Sequence, residues 1–146
     1  MIITVDTNIL ISAIINSKGK EFAILKKSYR QIDFVSSVFL LKEFSQKSNK
    51  VAALTNSSLA DVSYQFRALT EQFLWVKENE LDNVSLQEAE RLIQHIDPKD
   101  FLYVAVAVYF DSLLWSGDRK LYKGLRRKGF KNIVTTKELS EIIKGI

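Results

Sequence analysis

The chain has 146 residues, 47% of them hydrophobic and 26% charged, with a formal net charge of +4. This balance suits one globular domain over 1–146 with a sizeable core, and a single proline with no long glycine or serine run excludes a linker or disordered tail. Cysteine is absent, which removes disulfide scaffolds, thiolate nucleophiles and zinc–thiolate sites together.

Residues 1–5 (MIITV) are apolar and β-branched and read as a short buried strand, ended by Asp6-Thr7-Asn8. ILISAII at 9–15 fits a helix that Asn16-Ser17-Lys18-Gly19 breaks, and 20–28 reads as a second short helix. IDFVSS holds a second strand, with Ser36 or Ser37 as N-cap for a helix running to about Gln46. Over 50–73 the apolar residues Val51, Leu54, Leu59, Val62, Phe66, Leu69 and Phe73 recur at helical spacing.

FLWV at 73–76 is the third strand candidate. A helix follows from Ser85 to His95, and Asp97-Pro98 opens the next as N-cap and first helical residue, continuing through YVAVAVYF. LLWS at 113–116 is a fourth strand, and a short helix from Asp118 ends near Lys128-Gly129. Residues 132–135 make a fifth strand before an amphipathic helix over 137–144. Strands alternating with helices predict a parallel sheet covered by helices on both faces. Trp75 and Trp115 fall in strand patterns and are expected in the core, and His95 at a helix end is expected to be a surface or capping residue.

The N-terminus lacks a basic stretch, Asp6 interrupts its apolar run too early for a secretory signal, and the apolar run 101–115 is too short to span a bilayer. A soluble, cytoplasmic protein with no membrane contact is the expectation. Arg119, Lys120, Lys123, Arg126, Arg127, Lys128 and Lys131 follow one another without an intervening acid. Such a run is either a solvated helix face or a field that attracts a polyanion.

Four acids belong together in this arrangement. In an open parallel sheet, ligands bind beyond the carboxyl ends of the strands, where the strand order reverses. Asp6 follows the first strand, and Asp118 follows the fourth after Ser116-Gly117. Glu43 interrupts the apolar stripe of its helix, at i+4 from Phe39 and i+3 from Leu40. A carboxylate there is costly unless compensated, with Lys47 at i+4 the plainest partner. Asp100 stands where it suits the positive end of the next helix, whose small residues Ala105 and Ala107 allow close packing on the sheet. Carboxylates gathered at one rim repel, and a divalent cation resolves the repulsion. Oxygen donors without histidine or cysteine favour magnesium or manganese, which could activate water at a phosphodiester.

VDTNIL at 5–10, the helical Glu43, Asp100 followed by Ala105 and Ala107, and WSGDRKL at 115–121 together resemble a PIN-domain ribonuclease, particularly the VapC-type toxins of toxin–antitoxin pairs. The likeness spans essentially the whole chain. It implies a three-layer α/β/α sandwich around a small, mainly parallel sheet, usually dimeric, that cleaves RNA with Mg2+ or Mn2+ and is neutralised by an antitoxin. On the matching positions, Asp6, Glu43, Asp100 and Asp118 correspond to the metal-binding and catalytic acids. Asn8 resembles the residue that steadies the first acid, and Ser116 the hydroxyl two residues before the last. IDPKD offers a second aspartate: the small residues at +5 and +7 favour Asp100, while Asp97 keeps the cap and stays the alternative or additional ligand. Arg119, Lys120, Lys123, Arg126 and Arg127 are expected to hold RNA backbone.

Two other readings stay open. A haloacid-dehalogenase-type phosphatase also places an aspartate at a strand end, but resembles Asp-x-Asp where this chain has Asp6-Thr7-Asn8; a response-regulator receiver would need a further acidic pair. An inactive PIN-like module that binds RNA or protein is the other.

Overall fold

The computed structural model describes residues 1–28 and 30–145. Five strands, β1 (Ile2–Val5), β2 (Asp33–Ser37), β3 (Leu74–Val76), β4 (Leu113–Trp115) and β5 (Ile133–Val134), form one sheet in the order β3-β2-β1-β4-β5, parallel at every pairing. Among the described residues eight α-helices flank it: α1 (Thr7–Ile15), α2 (Lys20–Lys27), α3 (Phe39–Thr55), α4 (Leu59–Thr70), α5 (Asn83–Ile93), α6 (Phe101–Phe110), α7 (Arg119–Arg127) and α8 (Thr136–Lys144). The protein is therefore the expected α/β/α sandwich. None of these helices is long and apolar enough to cross a membrane.

A parallel sheet covered on both faces needs apolar side chains pointing both ways. Ile3, Val5, Leu114, Trp115 and Ile133 are all fully buried accordingly. The central strand β1 pairs with β2 on one side and β4 on the other, with Ile3 opposite both Phe34 and Leu113. The chain moves outward from β1 through β2 to β3, then returns to the other side of β1 for β4. This reversal opens a crevice between the carboxyl ends of β1 and β4.

Helix α6 is apolar all round, as a helix buried against a sheet must be, and packs on β1, β2 and β4. Tyr103 through Ala107 are all at most 1% exposed. The expected cap also forms: the Asp97 side chain accepts from Lys99 N at 3.0 Å, Pro98 begins a single 3-10 turn, and α6 continues from Phe101. Trp115 is buried, its indole N–H donating to Thr136 Oγ1 at 3.0 Å, while Trp75 packs against the rings of Phe66 and Phe73.

Some boundaries differ from the expectation. The first helix starts at Thr7, two residues early, because Asp6 itself caps it. Helix α3 continues to Thr55, since nothing breaks it before Asn56 takes a left-handed conformation with φ 52°. The 50–73 stretch is consequently two helices, with Ser58 capping α4 by accepting from Asp61 N at 3.1 Å. Val51, Val62, Phe66, Leu69 and Phe73 are buried as the periodicity requires, whereas Leu54 and Leu59 flank the turn and are exposed. The N-cap of α3 is Val38; Ser37 Oγ accepts instead from Phe39 N at 3.1 Å, and Ser36 Oγ donates to the Val5 carbonyl at 2.7 Å. Helix α5 begins after Asp82, whose carboxylate accepts from Ser85 N, and ends at Ile93. His95 lies past it, exposed, at φ 65°.

Candidate functional site

The crevice at the strand-order reversal is built from the turns that follow β1 and β4. Asp6 closes β1: its N–H donates to the Trp115 carbonyl at 3.2 Å, its backbone stays extended, and its carboxylate caps α1 by accepting from Asn8 N at 3.3 Å. The other Asp6 oxygen, Oδ2, accepts from Ser116 Oγ at 2.6 Å. Ser116 Oγ in turn accepts from Asp118 N at 3.1 Å, so one buried hydroxyl joins the ends of β1 and β4. Asp118 caps α7 through Oδ1, which accepts from Leu121 N at 3.1 Å. The steadying contact at position 8 comes from the backbone amide of Asn8.

Glu43 reaches the same rim from the second turn of α3. Its Oε1 accepts from Thr7 Oγ1 at 2.8 Å and from the Tyr103 hydroxyl, and the two hydroxyls also touch each other. These, rather than Lys47, compensate a carboxylate in an apolar stripe. Burial, followed by the hydrogen bond to Glu43, pushes the Tyr103 phenol well above its usual range, so it stays a donor. Thr7 and Tyr103 were not legible as site residues from the motif. A signal for Tyr103 did exist: it lies three residues after Asp100, on the same helical face, as a polar group in a run that is otherwise hydrocarbon.

Asp100 differs from the others. It sits at the junction between the 3-10 turn and α6, 8% exposed, and its Oδ2 is buried without a hydrogen-bond partner. Burial drives its carboxyl up from 3.8 to about 7, and the charges of Asp6, Asp118, Asp97 and Glu43 add to the rise. Asp6 rises to about 6, again chiefly by burial, against the hydrogen bonds from Ser116 and Asn8, and with Glu43 and Asp118 adding repulsion. The fold thus brings Asp6, Glu43, Asp100 and Asp118 within mutual electrostatic reach, with Asp97 half-buried at the edge. Two carboxyls near neutrality and an orphaned buried oxygen are the marks of a site short of positive charge.

As placed, no three Asp, Glu or His side chains among the described residues stand close enough to hold a metal ion by themselves. The donor chemistry nevertheless fits a magnesium-like ion. Such an ion keeps several of its waters and needs only one or two direct carboxylates, with the remaining acids reached through water. Asp100 carries the unpartnered Oδ2, and it and Asp6 are the two acids whose proton affinity is raised.

The basic segment divides. Leu121 and Leu125 bury one face of α7, leaving Arg119, Lys120, Lys123, Arg126 and Arg127 exposed. Arg126 is engaged in the fold, donating to the Ile133 carbonyl at 3.1 Å, pairing with Glu138 at 3.4 Å and lying 4.7 Å from the Tyr122 ring centre. Lys128 donates to the carbonyls of Arg91 and Gln94. A cavity of about 750 Å³ lies by Tyr64, Arg67 and Trp75, on elements that contribute none of the four acids.

A family model described as PIN domain matches residues 4–140. The chain belongs to the PIN-domain family. Two solved structures share its fold. PAE2754 from Pyrobaculum aerophilum aligns with a TM-score of 0.69 at 16% identity, over 99% of this chain and 90% of that one. A chain of VapBC2 from Rickettsia felis, crystallised bound to a DNA fragment from their promoter, aligns with a TM-score of 0.66 at 15% identity, over 92% and 97% respectively. No match was found among curated protein sequences.

Proposed function

We propose that this PIN-domain protein is a metal-dependent endoribonuclease, a single nuclease domain acting as the toxin of a toxin–antitoxin pair. The observation that carries the reading is Asp100: a buried carboxylate with an unpartnered oxygen, held beside three further acids at the strand-order reversal. An uncompensated cluster of this kind is kept in a fold where it has work to do. Asp6, Asp100, Asp118 and Glu43 would hold Mg2+ or Mn2+, which when bound supplies a water of lowered pKa and stabilises charge at a phosphodiester.

The chain's own groups do the rest. Ser116 fixes the orientation of the Asp6 carboxylate and the Asp118 backbone with a single hydroxyl. Thr7 and Tyr103 clamp Glu43 from two different elements. Asp97, capping the turn that presents Asp100, is a site-support residue and not a donor in this reading. Arg119, Lys120, Lys123 and Arg127 present exposed positive charge along α7, the helix that Asp118 caps, suited to RNA backbone; Arg126, tied to Glu138, contributes to the field rather than to direct grip. Single-stranded or looped RNA suits such a site better than duplex, because its bases are exposed for recognition.

The toxin assignment is supported by the shared fold with a chain of VapBC2, crystallised with promoter DNA. On that reading the partner is a DNA-binding antitoxin whose tail covers the acidic rim, and the active form is a homodimer in the cytoplasm. The phosphatase alternative loses its ground: the chain matches the PIN-domain family, and position 8 is Asn where a second acid would be needed. The test is cleavage of an RNA panel by the purified protein in Mg2+ or Mn2+, with EDTA as control. Cleavage that EDTA abolishes is expected; intact RNA across the panel, with RNA binding retained, would favour the inactive binding module instead.

A further inference from the structure

Beside Asp118 the surface dips into a cleft of about 410 Å³ between α7 and the start of α8. Ser116, Gly117 and Asp118 are among its lining residues, so it adjoins the acidic site. Arg119 and Lys123 from α7 and Lys137 from α8 line it. None of these three takes part in the ion pairs found among the described residues, unlike Arg126 one turn further on. Lys137 lies outside the basic run and reaches the cleft only because β5 returns the chain to this rim.

At the start of α8 a reciprocal cap uses two amides, with Thr135 N donating to Glu138 Oε1 at 3.0 Å and Glu138 N to Thr135 Oγ1 at 3.1 Å. The side chains of Arg119, Lys123 and Lys137 supply the full positive charges for an anion. The cleft walls are mostly apolar and include Tyr122, whose ring is held by Arg126 and whose hydroxyl donates to Glu138 at 3.0 Å. A rigid apolar wall under three free cations matches one nucleotide: a phosphate for the charges, a sugar and base for the hydrocarbon.

We infer that this cleft is a nucleotide subsite for the RNA strand, seating the phosphate next to the scissile one on Arg119, Lys123 and Lys137. This rests on the ribonuclease reading for which polyanion is bound, and adds where the strand leaves the acidic site. Gly117 offers a clean intrusion, since a side chain there meets nothing within 4 Å.

The test is fluorescence anisotropy of a labelled single-stranded RNA pool in EDTA, where no cleavage intervenes. Arg119→Ala, Lys123→Ala, Lys137→Ala and Gly117→Glu should each weaken binding. The three cation variants should each lower the log–log salt slope by about 0.7, the value for one lost phosphate contact on a single strand. Lys50→Ala, on α3, removes the same charge elsewhere and should leave the slope unaltered. In parallel, uridine monophosphate should move the amide resonances of Gly117, Thr136 and Lys137, and uridine alone should not. Slopes equal to wild type in all three cation variants, or an equal fall in Lys50→Ala, would overturn the subsite. So would amide shifts confined to other regions. The two readings separate: RNA cleaved by wild type with cleft variants binding unchanged sinks the subsite alone, whereas cleft-dependent binding without cleavage in Mn2+ sinks the nuclease alone.

Discussion

Two carboxylates on either side of β4 meet opposite fates. Glu138, at the start of α8, is pushed up by partial burial, but Thr135, Tyr122 and Arg126 together outweigh that push and leave it below its usual range. Asp100, at the start of α6, is pushed up by burial and then further by four other acids, and one of its oxygens has no partner. The same functional group at the same kind of helix start is satisfied in one place and frustrated in the other. Folding alone would remove that contrast, since a buried group without a partner destabilises. Structure-building charge is found where every partner is present, and a missing partner marks the candidate for chemistry.

The strongest way to break this comparison is to neutralise the frustrated acid. Asp100→Asn should lower cleavage at least ~100-fold, the scale of a lost catalytic group, and should also stabilise the cation-free protein. For both Asp6 and Asp100 the folded-state pKa, about 6 and about 7, lies above the ordinary 3.8. The folded state therefore holds these protons more tightly than the unfolded one. Their contribution to stability is complete below about pH 4 and is lost as pH rises through about 6 and 7. In EDTA, wild type should melt at lower temperature at about pH 8 than at about pH 5, and Asp100→Asn should flatten that slope. Mn2+ should restore the wild-type melting temperature at the higher pH and have little effect on the variant. A variant that melts below wild type in EDTA at the higher pH would show that Asp100 is already satisfied.

The contrast also explains what the sequence could and could not reveal. Asp6 and Asp118 were legible because position fixes them: an acid within three residues of the end of a buried strand in a parallel sheet lies at the carboxyl rim. The parallel sheet followed from alternation of strands and helices, and α6 from an unbroken apolar run. The length of α3 was not legible, since its end depends on Asn56 adopting a left-handed conformation that no pattern demands. Nor was the division within the basic run. Arg126 and Arg127 are adjacent and chemically alike, yet only the fold reveals that Arg126 meets Glu138 and Tyr122. The partners of Glu43 were hidden for a similar reason. Lys47 is near in sequence, but Thr7 and Tyr103 are near in space, and hydroxyls cost less than a second charge at a half-buried position.

A smaller effect is expected where a neutral group joins two acids. Ser116 Oγ donates to Asp6 and accepts from Asp118 N inside the protein, so Ser116→Ala leaves a carboxylate oxygen and an amide without their partner. A cost of about 1–3 kcal/mol in stability follows from the unpaired buried groups, and about 10–100-fold in metal affinity or activity from the loosened carboxylate. Thermal melting and Mn2+ titration of the cleavage rate measure the two separately. Ser116→Thr keeps the hydroxyl and should recover most of the metal affinity; failure to recover it would assign the defect to packing rather than to the hydrogen bond.

The smallest effect, and the sharpest probe of how the rim is organised, concerns Tyr103. Its ring is buried in the core, 1% exposed, so Tyr103→Phe preserves packing and removes only the hydroxyl that donates to Glu43. Thr7 still donates to the same oxygen, so Glu43 loses one of two restraints and the net change is about 1 kcal/mol, or roughly fivefold. Because Tyr103 acts through Glu43, the loss should appear as a higher Mn2+ concentration for half-maximal cleavage, with kcat at saturating metal nearly unchanged. Thr7→Ala should add to it, leaving Glu43 with neither donor, while Thr7→Ser should not. A fall in kcat at saturating Mn2+, with the half-maximal concentration unmoved, would mean that the hydroxyl acts on the reacting strand itself and that Glu43 needs no clamp.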